Sequence, residues 1–351
     1  MKPYVSFVTF GRNDDYTPDY ARRFSKVVAC LAEQLEHAHL DAEIVVTEWN
    51  PPPDRPLLLD TLDLPANGDF VTVKGYVVDP RFHARFEGAH ERGMHAGESW
   101  NVGIRRARGR FITPKASDTF FSPQAIDRIA RRDLQADTMY RLDRHDVAMP
   151  AALWSADNDA LVSGLESLPA EPNAYLRQVD WWRLRDLHTN ACGDFLLMGA
   201  DAWHRLRGHP LDRSILMLDG DSLVLHAAAA LGLRECRWAA PARIYKPAHA
   251  NLNNARITAT WQPWQKALEA VLKRIGGPAL AHRARMAFDY PRRKVRGVDS
   301  VLGPSIERNF VAPASRWARG ALPVPTQPAN WGLADEALEE RIVRRAAWDT
   351  P

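Results

Sequence analysis

The chain lacks long apolar runs and closely spaced cysteines. Its 351 residues contain no apolar run of the ~18 residues that a transmembrane helix needs. The first residues, 1–5, lead into a strand pattern and not into the apolar stretch of a signal peptide. The three cysteines, Cys30, Cys192 and Cys236, form no CxxC pair, which disfavours a disulfide scaffold and a zinc knuckle. These absences predict a cytoplasmic protein in a reducing compartment.

The chain also lacks an excess of charge of one sign. Its 46 Lys and Arg residues against 43 Asp and Glu residues leave a formal net charge of +3. Nucleic-acid binding needs a concentrated basic face, so we expect no nucleic-acid partner. Apolar residues make up 46% and charged residues 25%, as in ordinary soluble globular proteins, and the length predicts about two domains.

Strand and helix patterns alternate through the first part of the chain. Predicted strands lie at 4–10, 43–49, 70–78 and from 111, and predicted helices lie at 19–38 and 99–108. This alternation predicts an α/β fold with a mostly parallel sheet covered by helices on both faces. Ligands bind beyond the carboxyl ends of the strands in such sheets, so loops 11–18, 48–56 and 113–119 are expected to face one cleft.

The later part of the chain is less regular. Residues 143–190 predict a long loop or lid. Further helices are predicted from about 200, at 222–231, at 264–275 and at 335–348. We expect one unit over 1–250, with halves at 1–118 and 119–250, and a C-terminal helical extension over 251–351.

The most specific stretch runs from Trp100 to Ile112 and is followed by Ala116-Ser117-Asp118 and Ser122-Pro123. Here the chain resembles the family 2-like GT-A glycosyltransferases. Their shared pattern is an Asn-x-Gly-Ile-x-x-Ala-x-Gly helix, a strand, an Asp-x-Asp turn and a nearby proline. The resemblance covers about residues 4–250. It implies a Rossmann-like GT-A fold, with the nucleotide-sugar donor bound by the half at 1–118 and the acceptor bound by the half at 119–250.

The resemblance also implies a divalent cation, Mn²⁺ or Mg²⁺, which would neutralise the diphosphate leaving group. Asp118 matches the last acid of the Asp-x-Asp turn and is the expected metal ligand, but Ala116 replaces the first acid. Otherwise Asp118 is an ordinary turn residue that caps the helix near 123. His249 falls where metal-dependent relatives carry a ligand histidine, although a lone histidine is more often structural.

Residues after the first two strands and on the motif helix are the expected donor-binding groups. They are Thr9, Phe10, Gly11, Arg12, Glu48, Asn101, Arg105, Ser117 and Asp118. Glu48 would accept hydrogen bonds from ribose hydroxyls or a base N–H; the alternative is a solvated acid at a strand end. Asn101 and Arg105 lie one helical turn apart, on a face that either meets the donor or packs within the protein.

The acceptor hydroxyl is a poor nucleophile and needs a carboxylate base within hydrogen-bond reach. Asp219-Gly220-Asp221 matches the acidic pair that carries the base in this family, with Asp219 favoured and Asp221 close behind. Either acid is otherwise the N-cap of the following helix. Asp194 is a candidate for binding sugar hydroxyls or is a strand-edge acid. Trp181 and Trp182 are a stacking platform for sugar rings or core residues.

The resulting hypothesis is a glycosyltransferase that moves a sugar from a UDP-linked donor to a saccharide or glycolipid hydroxyl, with inversion, in polysaccharide biosynthesis. The helix at 264–275 and the basic cluster at 292–296 would contact an anionic membrane surface, or the helix packs on the main domain. One alternative is a nucleotidyltransferase, but residues 11–15 lack its Gly-rich phosphate loop with lysine. The other is a non-catalytic nucleotide- or sugar-binding relative, which Ala116 suggests.

Overall fold

The structure is a computed structural model. It describes residues 2–14, 17, 19–173, 185, 187–188, 191–211, 220–247, 264, 267–268, 270–272, 274–277, 280, 312–321 and 327–349.

These ranges contain thirteen strands and nine helices whose residues are described without a gap. The strands are β1 (Val5–Gly11), β2 (Ala42–Trp49), β3 (Asn67–Gly68), β4 (Val71–Val78), β5 (Phe111–Pro114), β6 (Phe120–Phe121), β7 (Thr138–Arg141), β8 (Asp143–Val147), β9 (Ala170–Asn173), β10 (Met198–Gly199), β11 (Arg234–Arg237), β12 (Arg243–Pro247) and β13 (Glu339–Ala346). The helices are α1 (Tyr20–His37), α2 (Pro80–His83), α3 (Ala96–Arg106), α4 (Pro123–Ala130), α5 (Ala151–Trp154), α6 (Asn158–Ser167), α7 (Ala200–Leu206), α8 (Gly220–Ala230) and α9 (Ala312–Ala318). Two 3₁₀ turns span Leu58–Thr61 and Trp331–Leu333.

A seven-stranded sheet forms the centre, in the order β10-β5-β1-β2-β4-β13-β3. Strands β5, β1, β2 and β4 are parallel, while β10 and β13 join them antiparallel. β1 and β2 are buried along their whole lengths, as central parallel strands covered on both faces must be. The predicted α/β class with a mostly parallel sheet flanked by helices is confirmed.

The two faces of the sheet pack against different helices. Along β1, Val5 and Phe7 belong to one apolar core, whereas Val8 and Phe10 belong to the other, since successive side chains point to opposite faces. Helices α1 and α4 cover the first face, and α3, α7 and α8 cover the second. Helix α3 lies close to the sheet at Gly103, where a Cβ would come within 2.4 Å of Val8 Cγ1.

A four-stranded sheet in the order β6-β12-β8-β9 stands beside the main one. β12 runs antiparallel to β6, with Tyr245 opposite Phe120, and parallel to β8, with Lys246 opposite Asp146. This register carries Lys246 beyond the first residue of β6 and toward the turn that follows β5. β7 and β11 form a separate parallel pair.

The predictions for the first part of the chain agree with β1, α1, β2, β4, α3 and β5 to within three residues. The expectation of a long loop over 143–190 is wrong for its first part, which contains β8, α5, α6 and β9. The helix predicted over 264–275 is confirmed at its described residues, where Trp264, Val271 and Ile275 are exposed.

The helix predicted over 335–348 is wrong. Residues 339–346 form β13, which pairs with β4 inside the central sheet. The last part of the chain thus contributes a strand to the same sheet as β1, and the domain boundary at 250 stays a prediction. In the described part of the chain, no helix has the length and apolar character needed to cross a membrane.

Candidate functional site

The carboxyl ends of β1, β2 and β5 lie at one edge of the sheet, because the three strands are parallel neighbours. Arg12, just after β1, donates through Nε to the Asn50 carbonyl beyond β2 at 2.6 Å. Its Nη1 donates to Asp14 Oδ2 at 2.8 Å. Arg12 therefore ties two of the loops expected at the cleft to each other, and its guanidinium is partly occupied by protein.

Trp100 connects α3 to the segment that follows β5. Its indole N–H donates to the Lys115 carbonyl at 3.1 Å, and its ring meets Phe10 edge to face at 5.0 Å between centroids. Phe10, at 8% exposure, is therefore a packing residue of β1. This packing holds residues 115–118 against the carboxyl end of the central strand.

A group of five charged side chains lies at this edge, and we call it the Lys246 cluster. Its members are Asp118, Arg144, Asp146, Asp194 and Lys246. Lys246 Nζ lies 3.3 Å from Asp118 Oδ1 and 3.0 Å from Asp194 Oδ1. Arg144 Nη1 lies 2.7 Å from Asp194 Oδ2, and its Nε lies 2.9 Å from Asp146 Oδ1. Acids and bases from β8, β12 and two loops therefore converge on one point.

The members of the cluster differ in their exposure to solvent. The Asp194 side chain is 5% exposed, whereas Asp118 is 22% and Lys246 is 23% exposed. A molecule in the cleft can therefore reach Asp118 and Lys246 more readily than Asp194. Ser117 and Asp118 also line a small pocket, of about 20 Å³, together with Tyr20 and Trp154.

The pKa directions of Asp194, Lys246 and Arg144 favour their charged forms. Burial raises the pKa of Asp194, but Lys246 and Arg144 outweigh burial and hold it below its usual value. Burial lowers the pKa of Lys246, but Asp194 and Asp118 outweigh burial and raise it. Deeper in the protein, burial lowers the pKa of Lys115 to about 8, and its Nζ donates to the Ala116 carbonyl at 2.7 Å.

Asp221 lies next to this cluster, in the first turn of α8. Its Oδ1 accepts a hydrogen bond of 2.8 Å from the backbone N–H of Ser222. A Cβ at Gly193 would lie 2.6 Å from Asp221 Oδ2, so the glycine allows this acid to approach residues 193–194 closely. Burial raises the pKa of Asp221, and the negative charge of Asp194 raises it further. Asp118, Asp194 and Asp221, which are distant in sequence, thus come together.

Asp194, predicted to bind sugar hydroxyls, is engaged within the protein. One of its carboxylate oxygens pairs with Lys246 and the other with Arg144, and its side chain is almost fully buried. A carboxylate so placed positions the two cations, and its binding of the acceptor stays a prediction.

Glu48, predicted to bind the donor, is likewise engaged within the protein, and its donor role stays a prediction. This acid is fully buried, and its two oxygens accept hydrogen bonds from the backbone N–H groups of Leu58 and Leu59. Burial raises its pKa, and the two backbone donors oppose that rise. Glu48 holds the start of the 3₁₀ turn against the end of β2, and its carboxylate does not face the cleft.

Asn101 and Arg105 also bind other parts of the protein. Asn101 is fully buried and bonded to the backbone of His209. The Arg105 guanidinium lies 5.0 Å from the ring centre of Trp331 and donates to the Ala329 carbonyl at 3.4 Å. These contacts show that this face of α3 packs within the protein, and its contact with the donor stays a prediction.

Two further predicted donor residues of β1 are closely packed. Thr9 is buried, and a Cβ at Gly11 would come within 2.3 Å of Leu58 Cδ2. Of the predicted donor residues, Arg12, Arg105, Ser117 and Asp118 are the partly exposed ones. The predicted residues Asp219, Trp181, Trp182 and His249 lie outside the described residues.

The described side chains around Asp118 do not fit a divalent cation well. Ala116 offers no side-chain ligand, and Asp118 Oδ1 is already paired with the Lys246 ammonium. Within the described ranges, one group of three possible ligands lies close enough together to hold an ion, and it consists of Glu33, His37 and Asp159 on α1 and α6. That group is not part of the Lys246 cluster.

Sequence reasoning missed Lys246 and Arg144. Lys246 stands three residues before the histidine that the motif analysis singled out, in a strand without a metal-ligand or phosphate-loop spacing. Its contact with Asp118 arises from the pairing of β12 with β6 and β8. A lysine and an arginine on neighbouring strands give no local signal of such a contact.

No family model matches the chain, and no curated protein matches it. Among solved structures, the chain is similar to Staphylococcus aureus TarS 1–349 in complex with UDP, at 12% identity and a TM-score of 0.45, over 88% of this chain and 77% of that one. It is similar to the same protein in complex with UDP-GlcNAc at 11% identity and a TM-score of 0.44, over 91% and 82%. It is also similar to the catalytic domain of Drosophila β1,4-galactosyltransferase 7 in complex with xylobiose, at 10% identity and a TM-score of 0.32, over 74% and 80%.

Proposed function

We propose that the chain is a glycosyltransferase that moves a sugar from a UDP-linked donor to a saccharide or glycolipid hydroxyl, with inversion. One observation carries the proposal: Asp118, Asp194, Asp221 and Lys246 converge beyond the carboxyl end of β5, where parallel sheets bind their ligands. The sequence pattern around this strand, with an Asn-x-Gly helix before it and Ser117-Asp118 after it, is that of nucleotide-sugar enzymes.

The reaction needs a positive group near the leaving diphosphate. Negative charge builds up on the diphosphate as the bond to the sugar breaks, and fixed positive groups stabilise that charge most effectively. Lys246 lies at the exposed side of the cluster, and Arg12 lies at the end of β1. Both cations are held by protein carboxylates, so they stay in place when a donor arrives.

The reaction also needs a base for the acceptor hydroxyl. The acidic pair at 219–221 is the proposed source of that base, and Asp221 is its described member. Burial moves the pKa of Asp221 upward, toward the range in which a carboxylate accepts a proton most effectively near neutral pH. A single displacement with an attacking hydroxyl activated in this way inverts the sugar centre.

The acceptor is proposed to be a growing polysaccharide or glycolipid on the cytoplasmic side of a membrane. The exposed apolar residues Val271 and Ile275, on the helical segment between β12 and β13, support a peripheral membrane contact. Vesicles with and without anionic lipid would test this part of the proposal independently of catalysis.

Binding of UDP to the wild-type chain tests the central proposal. Calorimetry with UDP, compared with GDP and ADP, should show saturable binding that favours UDP. Release of UDP from UDP-sugars in the presence of simple saccharides should then identify the donor. Binding without any turnover across UDP-sugars and acceptors favours the non-catalytic relative, and binding of no nucleoside diphosphate contradicts the proposed function.

A further inference from the structure

We infer that Lys246 is the fixed cation of this site and takes the place of the divalent metal beside Asp118. The inference rests on the proposed function, because it names the group that meets the donor diphosphate. It leaves the rest of the reaction unchanged: the acceptor oxygen forms a bond to the sugar, the sugar–phosphate bond breaks, and the proton goes to the acidic pair.

The position of Lys246 carries the inference. Its Nζ lies 3.3 Å from Asp118 Oδ1 and 3.0 Å from Asp194 Oδ1, so it bridges two carboxylates as a bound cation would. The strand register fixes this position, because Tyr245 is paired with Phe120 and Lys246 is level with Asp146. The lysine is therefore built into the sheet and does not depend on a flexible loop.

Lys246 already occupies a position beside Asp118 where a second cation would bind. The three acids of the cluster, Asp118, Asp146 and Asp194, face the two cations Lys246 and Arg144, and it is Lys246 that pairs with Asp118. A divalent ion on Asp118 would lie beside the lysine ammonium, and like charges repel strongly at such short range where water is partly excluded. The loss of the first acid at Ala116 removes a metal ligand from the same turn.

The contact with Asp118 distinguishes Lys246 from the other nearby cations. Its side chain is 23% exposed, close to the 21% of Arg144, and its Nζ lies 3.3 Å from Asp118 Oδ1. Lys115 is 1% exposed and donates to the Ala116 carbonyl. Arg144 is divided between Asp194 and Asp146. Of these three described cations, Lys246 alone is placed to contact both Asp118 and a phosphate in the cleft.

The first experiment measures UDP affinity and UDP-sugar turnover of the wild-type chain in excess EDTA and in Mn²⁺. The inference expects the same affinity and turnover in both. If EDTA abolishes turnover and Mn²⁺ restores it, the inference is overturned while the proposed function stands. If UDP binds under neither condition, the proposed function itself fails.

The second experiment compares variants in EDTA. Lys246→Met should lower kcat/KM by about 10²–10³-fold, as loss of a group that stabilises transition-state charge does. Lys246→Arg should retain more activity, because it keeps the charge. Arg243→Met removes a cation from the opposite face of the same strand and should match the wild type. A Lys246→Met variant that folds, by circular dichroism, and keeps wild-type kcat/KM overturns the inference.

Lys246→Ala gives a further readout that a purely structural lysine would not. Removal of the ammonium takes away the cation beside Asp118, and turnover that rises with Mn²⁺ in this variant alone supports the inference. Should Lys246→Met and Lys246→Ala fail to fold, Lys246→Arg and the wild-type EDTA comparison still decide it.

Discussion

Asn101 and His209 are joined by two hydrogen bonds between α3 and the turn after α7. The His209 backbone N–H donates to Asn101 Oδ1 at 2.7 Å, and Asn101 Nδ2 donates to the His209 carbonyl at 3.2 Å. Gly208, at φ +76°, fits beneath this pair, since a Cβ there would come within 2.2 Å of Asn101 Oδ1. The asparagine that marks the sequence motif therefore works as a structural connector between α3 and this turn.

Replacing Asn101 should act mainly by lowering the stability of the fold and not by a direct effect on the reaction. Asn101→Ala leaves a buried backbone N–H and a buried carbonyl without partners, so the free energy of unfolding should fall by about 2–4 kcal/mol. Arg105→Ala, one turn further on, loses a weaker contact and should change it by less than about 1 kcal/mol. Urea unfolding measures both. Equal effects from the two variants would contradict this account of the motif.

Glu98 makes the stability of the chain depend on pH. Burial raises the pKa of Glu98 to about 7, although hydrogen bonds from Asn101 and from the Gly332 backbone oppose the rise. The folded chain therefore binds a proton between pH ~4.5 and ~7 that the unfolded chain has released, so stability falls as pH rises through that range. The total loss from this group is about 3 kcal/mol.

Glu98→Gln tests this dependence because glutamine does not ionise. Between about pH 5 and about pH 8, the change in the free energy of unfolding measured with urea should be more negative for the wild type than for the variant. His95, whose pKa burial lowers to about 4, is present in both proteins and drops out of the comparison. Parallel pH curves for the two proteins would show that Glu98 titrates normally.

Glu36 in α1 binds both the start of β4 and β13, the last strand in the sequence. Its Oε1 accepts from Val71 N at 3.0 Å and from Arg344 Nη2 at 2.7 Å, and its Oε2 accepts from Asp69 and Phe70 N–H groups. Glu36→Ala leaves these donors unpaired and should lower the free energy of unfolding by at least about 2 kcal/mol.

Arg341 on β13 provides the matched control for this interaction. It is 42% exposed and pairs with Glu339 and Asp60 at the surface, so Arg341→Ala should cost no more than about 1 kcal/mol. Arg344→Ala should fall between the two, since it removes one donor and leaves the backbone groups bonded. If Arg341→Ala destabilises as much as Glu36→Ala, the proposed importance of Glu36 is wrong.

Local patterns were enough for the central strands but not for β13. β1, β2 and β4 are runs of β-branched and aromatic residues, and α1 repeats apolar residues at helical spacing, so each pattern specifies its element directly. Residues 335–348 are rich in Glu, Ala, Leu and Arg, which favour a helix. Pairing with the edge of β4 overrides that preference, and no local sequence pattern predicts this pairing.

The candidate site likewise contains some residues that local motifs indicate and others whose contacts only the fold determines. The turn at Ser117-Asp118 and the acidic pair at 219–221 follow motif spacing, so the sequence indicates them. Glu48 binds backbone N–H groups and Asp194 pairs with cations because those groups lie next to them in the fold. Those neighbours come from distant segments, such as Leu58 and Lys246, and motif spacing contains no information about them.

The acidic pair can be tested through Asp221 and Gly193 together. If Asp221 is the base, Asp221→Asn should lower turnover by about 10²–10⁴-fold while UDP affinity stays near wild type. The acidic limb of the pH–rate profile should lie above the usual range of an aspartate, because burial raises the pKa of Asp221 and protonation removes the base. Asp219→Asn is the companion variant: loss of turnover there, with full turnover in Asp221→Asn, assigns the base to Asp219.

Gly193→Ala distinguishes the position of the Asp221 carboxylate from its charge. The new Cβ would lie 2.6 Å from Asp221 Oδ2 and 3.3 Å from the Trp100 ring, so the carboxylate must move while the acid itself remains. Turnover should fall, because a base acts only within hydrogen-bond reach of the hydroxyl. Gly199→Ala makes a milder contact, 3.3 Å from the Ala136 carbonyl oxygen, and is the comparison for a glycine substitution near the sheet. Steady-state kinetics and UDP calorimetry on both variants test whether the position of the Asp221 carboxylate affects turnover. Wild-type turnover in a folded Gly193→Ala protein would mean that the close approach of Asp221 to residue 193 plays no part in the reaction.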